Sequence, residues 1–102
     1  MPFGLSKKTI QKLSKIFEEN TNTEEAIIFG SRAKGNYREG SDIDIALKGK
    51  KLNFEILKNL ELEIDKLMLP YEINLVIYNN IDNKDLKKHI ERVGIEIYKE
   101  KK

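Results

Sequence analysis

Apolar positions recur with two different periods along the chain, and the changes of period divide it into elements. From Leu5 to Phe17, the residues Ile10, Leu13, Ile16 and Phe17 share one helical face, with Ser6 placed to cap the first turn. The stretch "ENTNT" ends that helix, because Asn and Thr side chains compete for backbone hydrogen bonds. Ala26 to Phe29 is a short unbroken apolar run and predicts a buried strand. Asp42 to Leu47 alternates, with Ile43, Ile45 and Leu47 on one side and Asp42, Asp44 and Ala46 on the other, which predicts a second strand. Asn53 then caps a helix reaching about Leu67, with Leu57, Leu60, Ile64 and Leu67 along its stripe and Pro70 stopping it. "YEINLVIY" alternates again over Tyr71 to Tyr78 and predicts a third strand. A last helix starts at Asp82 or Asn83 and carries Leu86, Ile90, Val93 and Ile97, with Gly94 inside it at a cost of up to about 1 kcal/mol relative to alanine.

The order helix, strand, strand, helix, strand, helix predicts an α/β fold of the α+β type: a small mixed sheet of about three strands flanked by helices. A length of 102 residues fits a single domain over residues 1–102. The chain is 39% hydrophobic and 35% charged, the balance of a folded chain with a densely charged surface. Its net charge is only +2 and its lysines are spread out, so nucleic acid is not expected as a direct ligand. The absence of cysteine excludes disulfides and thiolate metal sites. No apolar run approaches the roughly 20 residues of a membrane span, and "MPFGLSKKTI" lacks the apolar core of a signal peptide. The expected location is the cytoplasm.

Candidate chemistry concentrates between Phe29 and Leu47. Residues two apart on a strand share a face, so Asp42 and Asp44 present carboxylates side by side with Cα atoms roughly 6.6 Å apart. Two such anions either flank a hard cation such as Mg²⁺ or face water on an edge strand. Upstream, an apolar strand ends in Gly30-Ser31, and "SRAKG" is long enough for one helical turn whose N–H groups meet an anion, with Arg32 and Lys34 adding positive charge. A phosphate cradle beside a carboxylate pair is what a metal-bound nucleoside triphosphate requires. Other phosphate and metal motifs fail. Gly30 and Gly35 have Walker A spacing, yet Asn36-Tyr37 stands where Lys-Ser/Thr is needed, and Ala46-Leu47 follows Asp44 where an EF-hand requires oxygen ligands and glycine.

The run "GSRAKGNYREGSDID", with ten residues between Gly30-Ser31 and Asp42-x-Asp44, resembles the signature of the nucleotidyltransferase superfamily typified by DNA polymerase beta. With its short length and its tail "LKKHIERVGIEIY", the chain is similar throughout to the minimal nucleotidyltransferase domains, the MntA-type antitoxin half of HEPN/MNT pairs. The resemblance implies the polymerase beta-like fold. It also implies ATP or another nucleoside triphosphate bound at Gly30 and Ser31 with help from Arg32, and Mg²⁺ held by Asp42 and Asp44, two ions with the nucleotide in place. The reaction implied is transfer of AMP from ATP to a hydroxyl of a partner protein, with a HEPN-domain protein as that partner. The family's third carboxylate falls at Asn74, within Ile73-Asn74-Leu75. Asparagine offers a neutral oxygen and no negative charge, so the alternative reading is a catalytically weakened subunit that binds nucleotide and metal. Glu72, two residues before Asn74, or a group from a partner are the possible substitutes.

The remaining candidates have plainer readings. His89, the only histidine, is expected on the flank of the last helix. Ser41 is expected to orient the start of its strand rather than act as a nucleophile, Tyr37 and Tyr78 to be ordinary surface or core residues, and Met68 and Leu69 to complete a core stripe.

Overall fold

The computed structural model describes residues 4–38 and 40–101. Helix α1 spans Lys7–Glu19, and the Ser6 hydroxyl accepts from the Thr9 N–H at 3.1 Å. Strand β1, Glu25–Phe29, leads directly into the four-residue helix α2, Ser31–Lys34. Strand β2 is Ile43–Lys48, helix α3 is Phe54–Asp65 and strand β3 is Ile73–Ile77. The Asn53 side chain caps α3 by accepting from the Ile56 N–H at 2.9 Å. After a 3₁₀ turn at Tyr78–Asn80 comes α4, Lys84–Val93, capped by Asn83 through the N–H groups of Asp85 and Leu86. Each of these caps satisfies N–H groups that a helix start otherwise leaves unpaired.

The chain closes with a fourth strand, β4, Ile95–Lys99, where the apolar spacing predicts that the last helix continues to Ile97. The segment "IEIYK" fits both periods. Gly94 decides between them: a side chain at this position meets the Ile90 carbonyl oxygen and lies 2.5 Å from Ile27 Cγ2, so α4 ends here and the chain turns onto the sheet. Strand β4 then pairs antiparallel with β1, which satisfies that strand's second edge. The Ser14 hydroxyl donates to the Ile97 carbonyl at 2.7 Å and ties α1 to the new strand.

The sheet order is β3-β2-β1-β4, with β1 antiparallel to both β2 and β4, and β2 parallel to β3. Helices α1 and α3 cover one face, where Leu13, Phe17, Leu60 and Ile64 join Ile28, Ile43, Ile45, Leu47 and Leu75 in the main core. Leu69 packs against this core as the stripe predicts, but Met68 does not: α3 ends at Asp65, the chain turns at Met68 with φ 52°, and its side chain is exposed. Helix α4 covers only part of the other face, through Ile90 against Ile27, Phe29 and Ala46. Residues of β2 alternate between the faces, so Asp42 and Asp44 follow Ala46 onto the α4 side, at the end that helix leaves open. Among the described residues no helix is long and apolar enough to cross a membrane.

Candidate active site

The site is built where β1 ends, β2 begins and β3 begins. The register sets Phe29 opposite Asp44 on one side of β2, and Asp44 opposite Asn74 on the other. Asp44 is half-buried, while Asp42 and Asn74 are exposed. The Asn74 Nδ2 amide donates to Asp44 Oδ1 at 3.0 Å and reaches Asp42 Oδ2 at 3.4 Å. An amide oxygen turned toward two carboxylates would be repelled, so the amino group must face them. The two carboxylates therefore converge on one point, which the amide nitrogen fills. A single cation fits that donor set, with two anionic oxygens and a neutral amide as neighbours. Among the described residues no group of three His, Cys, Asp or Glu side chains is placed to hold a metal ion, and position 74 adds no carboxylate to the pair.

Gly30 turns the chain beside this pair with φ 76° and ψ −151°. A Cβ there would lie 2.5 Å from Asp44 Oδ2, so glycine lets the carboxylate come up against the backbone. The Gly30 carbonyl accepts from Lys34 N–H at 3.1 Å, closing the α2 turn that starts at Ser31. This brings Gly30 and Ser31 together with Asp42 and Asp44, as the spacing predicts, and sets Asn74 beside them.

Arg32 is expected to assist the nucleotide directly, but the structure places it in the scaffold. It is only 3% exposed. Its Nε and Nη2 donate to the Ser41 carbonyl at 3.1 and 2.8 Å, and its guanidinium stacks between Tyr37 and Tyr71, 5.3 and 4.8 Å from the ring centroids. The bond falls one residue before Asp42, so Arg32 fixes the start of β2 and with it the aspartate pair. Ser41 completes the loop, its hydroxyl accepting from the Arg38 N–H at 2.7 Å. Glu72 bonds through its carbonyl to the Ile43 N–H at 2.9 Å, and its side chain is exposed. Asn74, rather than Glu72, stands across from Asp44.

His89 is the residue that sequence spacing missed. It reaches from α4 to the turn, where its Nε2 accepts from the Gly30 N–H at 3.2 Å, and its ring meets Phe29 edge-on with centroids 6.4 Å apart. Fifty-nine residues separate the pair, so no local pattern links them. The available signal is its place three residues after Leu86 and one before Ile90, at the margin of the stripe that faces the sheet.

A family profile described as Polymerase beta, Nucleotidyltransferase matches residues 11–102. The chain belongs to the polymerase beta nucleotidyltransferase family. This nucleotidyltransferase is 35% identical over 86 residues to a protein of Methanocaldococcus jannaschii that bears the provisional name protein adenylyltransferase, covering 83% of this chain and 87% of the relative. A second relative from that organism with the same provisional name is 38% identical over 87 residues, with the same coverage. Among solved structures, the nucleotidyltransferase superposes on a chain of a toxin–antitoxin crystal structure with AMP-PNP, with TM-score 0.73 and 20% identity over 90% of this chain and 74% of that one. It also matches a chain from the complex of a tri-AMPylated Shewanella oneidensis HEPN toxin with its MNT antitoxin, with TM-score 0.70 and 17% identity over 94% and 74% of the two chains. At such identities the likeness is one of fold.

Proposed function

We propose that this nucleotidyltransferase moves AMP from Mg²⁺-bound ATP to a hydroxyl of a HEPN-domain partner in the cytoplasm, as the antitoxin-like half of a pair: the hydroxyl oxygen bonds to the α-phosphorus and loses its proton, and the α–β phosphoanhydride bond breaks to release pyrophosphate. The observation that carries this reading is the convergence of Asp42 and Asp44 on one point beside the Gly30-Ser31 turn. The turn that Gly30 makes into Ser31 receives the phosphates, and Asp42 and Asp44 would hold the ion. When bound, Mg²⁺ neutralises the charge that builds on the phosphates during in-line displacement. With an ion between the carboxylates, Asn74 would turn its amino group away from them and present its neutral oxygen to the ion. Arg32 contributes indirectly, by holding the Ser41 carbonyl. The provisional names of the relatives support AMP as the transferred group, and the HEPN toxin in the Shewanella complex supports the partner class.

Asn74 supports a second reading, a subunit that binds nucleotide and metal but transfers weakly, because position 74 adds no charge to the site. Incubation with Mg²⁺, ATP labelled at the α-phosphate and the helical product of an adjacent gene separates the two. Label on the partner that disappears with Asp42→Ala supports transfer. Binding without transfer, converted to transfer by Asn74→Asp, supports the weakened subunit. Failure to bind nucleotide in the presence of Mg²⁺ would refute both.

A further inference from the structure

Gly30 is held on every side it presents. Its carbonyl accepts from Lys34 N–H, its Cα lies against the Asp44 carboxylate, and its N–H is donated across the sheet to His89 Nε2 at 3.2 Å. The first two contacts come from the turn and from β2. The third comes from α4, which otherwise meets this sheet face through Ile90, Leu86 and their neighbours. A backbone with φ 76° and ψ −151° persists where its surroundings hold it, and an acceptor on a separate helix adds one such hold. The edge-on contact with Phe29, the residue just before the turn, keeps the imidazole in place.

We propose that His89 is the positioning residue of the phosphate turn: by accepting the Gly30 N–H it sets the peptide plane from which Ser31 meets the nucleotide phosphates. This rests on the nucleotide-binding reading of Gly30 and Ser31 given above. An acceptor Nε2 requires the neutral ring with its proton on Nδ1, and that tautomer is part of the proposal. Because the Gly30 N–H is already donated, Ser31 rather than Gly30 supplies the hydrogen bonds to the phosphates. Helix α4 thereby belongs to the nucleotide site although none of its residues lies in the Gly-Ser or Asp-x-Asp motif.

The test pairs two substitutions on the whole chain. His89→Phe keeps a ring against Phe29 and removes the acceptor; His89→Gln keeps an acceptor of similar reach. Affinity for a non-hydrolysable ATP analogue with Mg²⁺ is measured by calorimetry. The expected result is about a tenfold loss for the Phe variant, the range of one hydrogen bond, and return to within about threefold of wild type for the Gln variant. Equal affinity in all three proteins, or a Gln variant as weak as the Phe variant, overturns the proposal and leaves the function standing. A wild-type chain that binds no nucleotide overturns both. Ring-nitrogen NMR of the free protein reads the tautomer without any ligand and covers the case of a variant that does not fold. A proton on Nδ1 supports the proposal, and a proton on Nε2 refutes it.

Discussion

Gly30→Ala perturbs the point where backbone geometry and candidate chemistry meet. With φ 76° and ψ −151°, position 30 lies in a region almost reserved for glycine, so alanine costs about 1–3 kcal/mol in backbone strain alone. The new Cβ would also fall 2.5 Å from Asp44 Oδ2. A side-chain oxygen gives way more readily than backbone, so the carboxylate swings away and the aspartate pair loses its common focus. Mg²⁺-dependent nucleotide affinity should fall about 10- to 100-fold, the range seen when groups that orient a metal ligand are disturbed. Gly35→Ala is the control. Gly35 has φ 87°, yet a Cβ there meets nothing within 4 Å, so alanine costs about 1–2 kcal/mol of strain and touches no site group. Thermal unfolding should show both variants destabilised, by about 4–8 °C for each kcal/mol in a domain of this size. Calorimetry should show affinity lost in Gly30→Ala and kept in Gly35→Ala. Unchanged affinity in Gly30→Ala, or an equal loss in both, would refute the assignment of Gly30 as the seat of Asp44.

Other substitutions test other parts of the structure. Arg32→Lys keeps the charge but loses the two-pronged grip on the Ser41 carbonyl, and should cost about 1.5–3 kcal/mol in denaturant unfolding and weaken nucleotide binding. Gly94→Ala meets no backbone strain, since φ is −58°, but drives a methyl into the Ile90 carbonyl and Ile27; unfolding should show a loss of about 1–3 kcal/mol with nucleotide affinity unchanged. Burial first, then a side-chain hydrogen bond to Glu96, raises the Glu25 carboxyl above its ordinary 4.5. A raised carboxyl pKa means that ionisation penalises the folded state, and that the penalty fades as pH falls through the folded pKa. Glu25→Gln should therefore raise the melting temperature at pH 7, with the gain shrinking toward pH 4.5 in scans across that range.

How much of this was legible in the sequence depended on whether the deciding contact was local. The alternation of Ile43, Ile45 and Leu47, the caps at Ser6 and Asn53, and the Gly30 to Asp44 spacing are short-range patterns, and each element they predict is present. Strand β4 was misread because "IEIYK" satisfies both periods, and the choice rests on how closely Gly94 approaches Ile27, 67 residues earlier. Arg32 has the charge of a phosphate ligand. Its burial between Tyr37 and Tyr71 brings in the second ring from a different part of the chain, which sequence spacing does not display. His89 was hidden for the same reason, since its partner Gly30 is reached only after α4 folds back over the sheet. Asn74, by contrast, needs no long-range side-chain contact to be placed: parallel pairing of β2 and β3 sets it in register beside Asp44.

The central claim is that one ion and one nucleotide share the site formed by Gly30, Ser31, Asp42 and Asp44. Its most direct test is calorimetric titration of ATP into the wild-type chain and into Asp42→Ala and Asp44→Ala, each with Mg²⁺ and with excess chelator. The predicted result is binding by the wild type with Mg²⁺ alone, lost in both variants and lost with chelator. Binding that persists without Mg²⁺, or that survives in both variants, would contradict the claim.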